Sequence, residues 1–248
     1  MINKLTDNHS LLVTMEENVL SGGFGEHVSA FVKGESLDID VMTVGIPDAY
    51  VEHGSVSELK KLLGIDADTV ANLTHHAFFN LGGHDSGNTA DHTLMIAAEY
   101  YTPVHCPKSI PTGEYAPVEG TPFDFRTAKK IGLEIDADFE QLTFTGGYDH
   151  NFVLRGEGMR DVAVLKSEKT GIVMTTRTTQ PGVQVYTGNF LDGTVKGKKG
   201  IVYPQRASVC LETQHYPDSP NKKHWPSVVL EPGKTYTSHC IFKFGVIK

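Results

Sequence analysis

The stretch VMTTRTTQPGVQVYTGNF, residues 173–190, reads as two β-strands separated by a Pro-Gly pair. Two further runs of the same texture, SVCLETQ at 208–214 and YTSHCIFKF at 236–244, stand downstream. Their number and spacing suit a sandwich of antiparallel sheets. Working back from this stretch, Thr, Val, Tyr and Phe runs broken by Gly, Pro and Asp continue to about Ala71, with a possible helical turn near Ala128 to Leu133.

Before Ala71 the pattern is different. LLVTM from Leu11 is a short apolar run, SGGFGE is a glycine-rich turn, and Val28, Phe31 and Val32 fall at helical spacing. A second run, IDVMTVGI at 39–46, is followed by Ser55 and Glu58, spaced as a capping box ahead of Val56, Leu59, Leu62 and Leu63. Gly22, Gly23 and Gly25 could cradle a phosphate at a helix N-terminus, but a lone glycine-rich turn is more simply a tight bend. The expected fold class is therefore mainly β, a sandwich over 71–248 preceded by a small α/β segment over 1–70. GIDADTVANLTHH joins the two with no Pro/Ser-rich or charged spacer.

Composition narrows the function. The chain has 248 residues and a formal net charge of −8, so no global positive field would draw a phosphate backbone, and nucleic acid is not an expected partner. Cys106, Cys210 and Cys240 are far apart and lack CxxC spacing, which fits a reduced, cytoplasmic protein. The opening residues INKLTDNHS are polar, and no run reaches the ~20 apolar residues of a membrane span. Twelve histidines, including His75, His76, His84, His92 and His105, show no HExxH or other tight ligand pattern, so no metal is expected.

Five ordered motifs carry a resemblance: NLTHHAFFNLGG at 72–83, YYTPVHCPKSIPTGEYAPVEGTPFDFR at 100–126, GGYDHNFVL at 146–154, TTQPGVQVYTGNFLDGT at 178–194 and LETQHYPDSPNKKHWPSVVLEPGKTY at 211–236. In that order they resemble the C-terminal half of the aldose 1-epimerase (galactose mutarotase) family. The resemblance implies a partial galactose mutarotase-like β-sandwich, an aldohexose substrate, no cofactor, and acid/base interconversion of α and β anomers. It places the general acid on His76, the general base on Glu212 and a sugar-hydroxyl ligand on Asp149. His75 stands where many members have Asn. Upstream, where the family has Asn-Arg-Ile and Leu-His-Gly-Gly segments whose Arg and His also contact sugar, this chain carries other sequence. That sequence, LLVTMEENVLSGGFGEHV at 11–28 and VMTVGIPDAYVEHGSVSELKKLLGIDADTV at 41–70, resembles the C-terminal domain of 1-deoxy-D-xylulose-5-phosphate synthase, a transketolase relative. The domains that hold thiamine diphosphate in that family have no counterpart here, so no cofactor carries over.

The residues fit the implied chemistry. Opening a hexose ring needs one base for the anomeric hydroxyl and one acid for the ring oxygen, which a carboxylate and an imidazole can supply. In SVCLETQ, alternation puts Cys210, Glu212 and Gln214 on one strand face, with Gln214 a possible sugar hydrogen-bond donor, and Val209, Leu211 and Thr213 on the other. Phe78, Phe79 and Tyr148 are the expected flat surfaces for sugar faces. Phe123 to Arg126 and Asn189 to Asp192 read as sandwich corners. A catalytically silent carbohydrate-binding protein, or a composite of two family fragments, is the alternative reading. Because the family's first half is not matched, the β portion is expected to show exposed strand edges or an open apolar face.

Overall fold

The fold is that of a computed structural model, which describes residues 11–19, 24–37, 39–46, 69–105, 108–194, 196–231 and 234–247. The chain divides into two compact units, Met1–Thr69 with Leu230–Lys234, and Val70–Val229 with Thr235–Lys248. No helix among the described residues is long and apolar enough to cross a membrane.

In the first unit, strands β1 (Leu11–Val19) and β2 (Asp40–Ile46) pair in parallel, with Leu11 opposite Asp40 and Met15 opposite Val44. A parallel pair needs a crossover, and helix α1 (Phe24–Gly34) supplies it. Val28 and Val32, one helical turn apart, are buried with Ile39, whereas Phe31, grouped with them by spacing, faces solvent. Gly25 lies inside the helix rather than in a turn before it. A Cβ there would come within 2.5 Å of Thr14 Oγ1 and Thr43 Cγ2, so the glycine lets the helix backbone close onto the strands. The expected helix that follows Ser55, together with Gly22, Gly23 and Cys106, lies outside the described residues.

From Thr69 the strands are β3 (Thr69–Val70), β4 (Thr93–Ile96), β5 (Ala98–Thr102), β6 (Val104–His105), β7 (Ile110–Pro111), β8 (Ala116–Pro117), β9 (Lys129–Lys130), β10 (Asp149–Leu154), β11 (Arg160–Lys166), β12 (Ile172–Thr178), β13 (Gly182–Tyr186), β14 (Cys210–Gln214), β15 (Val229–Leu230) and β16 (Cys240–Val246). Two five-stranded antiparallel sheets dominate, in the orders β14-β13-β10-β5-β8 and β16-β12-β11-β4-β9. They share a core in which Leu94, Ile96, Phe123, Phe125, Tyr148, Phe152, Leu165, Met174 and Leu211 are almost fully buried. The mainly β sandwich read from the sequence is the architecture observed.

Two details differ from the sequence reading. The turn near Ala128 is a single 3-10 turn at Ile131–Leu133, and a second helix, α2 (Glu140–Thr145), was not anticipated. Six residues are too few to show helical periodicity. This short helix ends on Gly146 in the left-handed region at φ 68°, and its Gln141 side chain bonds both the N–H and the carbonyl of Val104 as a neighbouring strand would. The open apolar edge is at β16, the terminal strand of its sheet, where Ile241, Phe244 and Val246 are exposed.

Candidate active site

Strand register builds the site. Across the first sheet Glu212 stands opposite Gln184, which stands opposite Asn151; in the adjacent row Cys210 faces Tyr186, which faces Asp149. Opposed residues, and residues two apart on one strand, share a face. Leu211, Val183, Val185 and Phe152 point the other way, into the core. One row of alternation thus separates the sandwich core from a polar grid on the sheet's outer face, and Gln214 extends that grid.

The chain then lays residues 72–79 along the free edge of β14. Asn72 exchanges two hydrogen bonds with the backbone of His215, each 2.9 Å, the Thr74 hydroxyl donates to Thr213 O at 3.0 Å, and Phe79 and Val209 exchange backbone bonds. Held at both ends, this segment sends adjacent histidines to opposite sides. His75 packs on Phe242 and lies 3.3 Å from Cys240 Sγ. His76 reaches over the outer face, with Nε2 3.2 Å from Glu212 Oε1 and Nδ1 3.5 Å from Cys210 Sγ.

All four residues singled out from the sequence, His76, Glu212, Asp149 and Gln214, line one cleft of about 480 Å³ with Phe78, Gln184, Tyr186, Phe190 and Pro217. The aromatic expectations need correction. Phe78 lines the cleft, but Phe79 turns inward against Phe242, and Tyr148 is fully buried in the core with its hydroxyl donating to Pro122 O. Neighbours on an extended chain cannot both face one cleft, which removes Phe79 beside Phe78 and Tyr148 beside Asp149. Tyr186 and Phe190, whose rings stack 6.2 Å apart, take their place. Asn189 is the buried corner residue expected, bonding Thr145 O and Tyr148 O, while Phe190 beside it is exposed in the cleft. Phe123 and Phe125 are core residues, and Arg126 pairs with Asp124 and Glu99. Gln184 and Tyr186 were legible only as alternate residues of a strand; their register with Glu212 and Asp149 is what selects them.

Electrostatically the cleft is a pair of desolvated carboxylates around one imidazole. Burial holds the Glu212 carboxyl above its ordinary range; His76 works against this and Asp149 adds to it. Burial also raises Asp149, opposed by a 2.8 Å hydrogen bond from Gln184 Nε2 to Asp149 Oδ1 and by His76. A carboxyl raised in the folded state is most favourable to folding when protonated, below its unfolded-state value, and that contribution is lost as pH rises through the folded-state value. Ionised Glu212 therefore costs stability at neutral pH. Glu212→Gln is expected to raise the thermal midpoint near pH 7, with the gain shrinking as pH falls through the raised folded-state value and gone below the ordinary 4.5. A lower midpoint at pH 7 would show instead that the His76 pairing outweighs desolvation.

Residues 61–243 match the family described as Aldose 1-epimerase, and residues 1–70 match the family described as Transketolase, C-terminal domain. Human galactose mutarotase is 48% identical over 179 residues, 72% of this chain and 51% of that protein. The mouse galactose mutarotase is 40% identical over 255 residues, 96% of this chain and 72% of its own length. Among solved structures, a GalM/aldose epimerase homologue from C. elegans superposes with a TM-score of 0.63 at 30% identity, covering 72% of this chain and 52% of that one. A galactose 1-epimerase from Lactobacillus acidophilus gives 0.62 at 30% identity, covering 73% and 50%. The chain thus spans about half the length of most of these relatives. With well over half of its residues matched by one family, and the same sandwich present in two solved members, the chain belongs to the aldose 1-epimerase family.

Proposed function

We propose that the cleft binds an aldohexose such as galactose or glucose and interconverts its α and β anomers, with Glu212 as general base, His76 as general acid, and Asp149 and Gln214 as hydroxyl ligands. The observation that supports this most is the 3.2 Å approach of His76 Nε2 to Glu212 Oε1 at the mouth of a sugar-sized cleft. The anomeric hydroxyl and the ring oxygen are bonded to the same carbon, so acid and base must lie close together to act on both. Glu212 takes the proton from the anomeric hydroxyl as His76 gives one to the ring oxygen. The C1–O5 bond breaks, the aldehyde rotates, and the same two groups with exchanged roles close the ring on its other face. A raised Glu212 pKa makes its ionised form a stronger base, consistent with this work. Phe78, Tyr186 and Phe190 offer apolar walls to the sugar's C–H faces.

Polarimetry on freshly dissolved α-galactose or α-glucose tests the reading: the optical rotation should reach equilibrium faster with protein than without. Asp149→Asn should raise the sugar concentration for half-maximal rate on the order of tenfold, the loss of one charge-assisted hydrogen bond, and lower the saturated rate less. A second reading, sugar binding without turnover, is favoured by the absence of any guanidinium or second imidazole among the described residues lining the cleft. Saturable binding by calorimetry with no acceleration of mutarotation would select it.

A further inference from the structure

Cys210 has no role in the proposed anomer exchange, yet it stands on the edge strand of the polar grid, in the row of Tyr186 and Asp149. It shares a face of β14 with Glu212, two residues on, and its thiol lies 3.5 Å from His76 Nδ1. One nitrogen of His76, the sulfur of Cys210 and a carboxylate oxygen of Glu212 all lie within 4.8 Å of one another. Tetrahedral bonds of about 2.0–2.3 Å place neighbouring donors roughly 3.3–3.8 Å apart, so a small rotation of the three side chains closes the triangle. His76 has the most room to move, because its side chain is about half exposed, and Cys210 and Glu212 need only side-chain rotations on a backbone held in the sheet. The charge balance points the same way, since two carboxylates, Glu212 and Asp149, and one imidazole, His76, line the same cleft. A mixed sulfur, nitrogen and oxygen donor set selects borderline-soft divalent ions over Mg²⁺ or Ca²⁺.

We propose that Cys210, His76 and Glu212 form a binding site for Zn²⁺ or a similar borderline-soft divalent cation, with the fourth coordination position open to the cleft. The thiol proton passes to solvent as the sulfur–metal bond forms, and His76 and Glu212 bind as neutral imidazole and carboxylate. The site is invisible to motif reading because His76 and Cys210 are 134 residues apart. Occupancy ties up both groups of the proposed acid/base pair, so the cation acts as an inhibitor and not as a cofactor. Cation binding stands on the donor geometry alone, whereas the inhibition rests on the proposed acid/base roles of His76 and Glu212.

The test uses Co²⁺ as a spectroscopic stand-in for Zn²⁺, added to the full chain carrying Cys106→Ser and Cys240→Ser so that Cys210 is the remaining thiol. One equivalent should saturate a thiolate-to-cobalt charge-transfer band, and Zn²⁺ should displace it. In that background Cys210→Ser should abolish the band, and His76→Asn and Glu212→Gln should each weaken binding at least tenfold. Cooperative thermal unfolding of each variant separates a lost ligand from a lost fold, and Cys210→Ala provides a second replacement should serine not be tolerated at this buried position. No saturable charge-transfer band in the background protein, a band that survives removal of Cys210, or affinity indifferent to His76 and Glu212 would each overturn the proposal.

Discussion

Glu212→Gln is expected to lower the saturated mutarotation rate by about 10²- to 10⁴-fold while leaving sugar affinity nearly unchanged. Glutamine keeps the shape of the side chain and its place in β14, where Glu212 stands opposite Gln184, but it cannot accept a proton at neutral pH. His76→Asn should do the same from the acid side, because asparagine can still hydrogen-bond a ring oxygen but cannot give up a proton to it. The two losses should not add: each group is useful only while the other completes the proton exchange, so the double variant should be little slower than the worse single one. A fall in affinity with an unchanged saturated rate would reassign both residues as ligands. Independent, multiplying losses would contradict their acting as a pair.

The largest effect on stability is expected at Phe123, far from the chemistry. Its ring stacks on Tyr101 at 4.4 Å and meets His150 at 4.7 Å and Tyr148 at 5.4 Å edge to face, and none of it reaches solvent. Phe123→Ala should cost about 3–5 kcal/mol, the transfer of a large aromatic plus the cavity it leaves, read as a lower urea midpoint at unchanged slope. The consequence reaches the cleft because His150 and Phe152, which pack on Phe123, alternate along β10 with Asp149 and Asn151 on the outer face. His150 is itself sealed in, its pKa pushed down to about 3 by burial in this core. A loss below about 1 kcal/mol would mean that the corner carrying Phe123 collapses to fill the space.

Strand periodicity is local, and the sequence by itself determined what depends on it: the two textures, the antiparallel sandwich, and the face of SVCLETQ on which Cys210, Glu212 and Gln214 stand together. Motif order carried the family and, through it, His76, Asp149 and Glu212. Short elements escaped, since the six residues of α2 complete too little of a helical period to read. Aromatic roles escaped for another reason. In HAFF and GYDH, hydrophobic side chains look interchangeable in one dimension, and only the direction of each strand relative to the core decides that Phe78 meets the cleft while Phe79 and Tyr148 are buried. The tertiary structure alone decided the grid, because register between strands is a long-range choice fixed by which faces are buried. It brought Gln184 beside Asp149 across 35 residues and set His76 over Glu212 and Cys210 from a segment 134 residues before the latter.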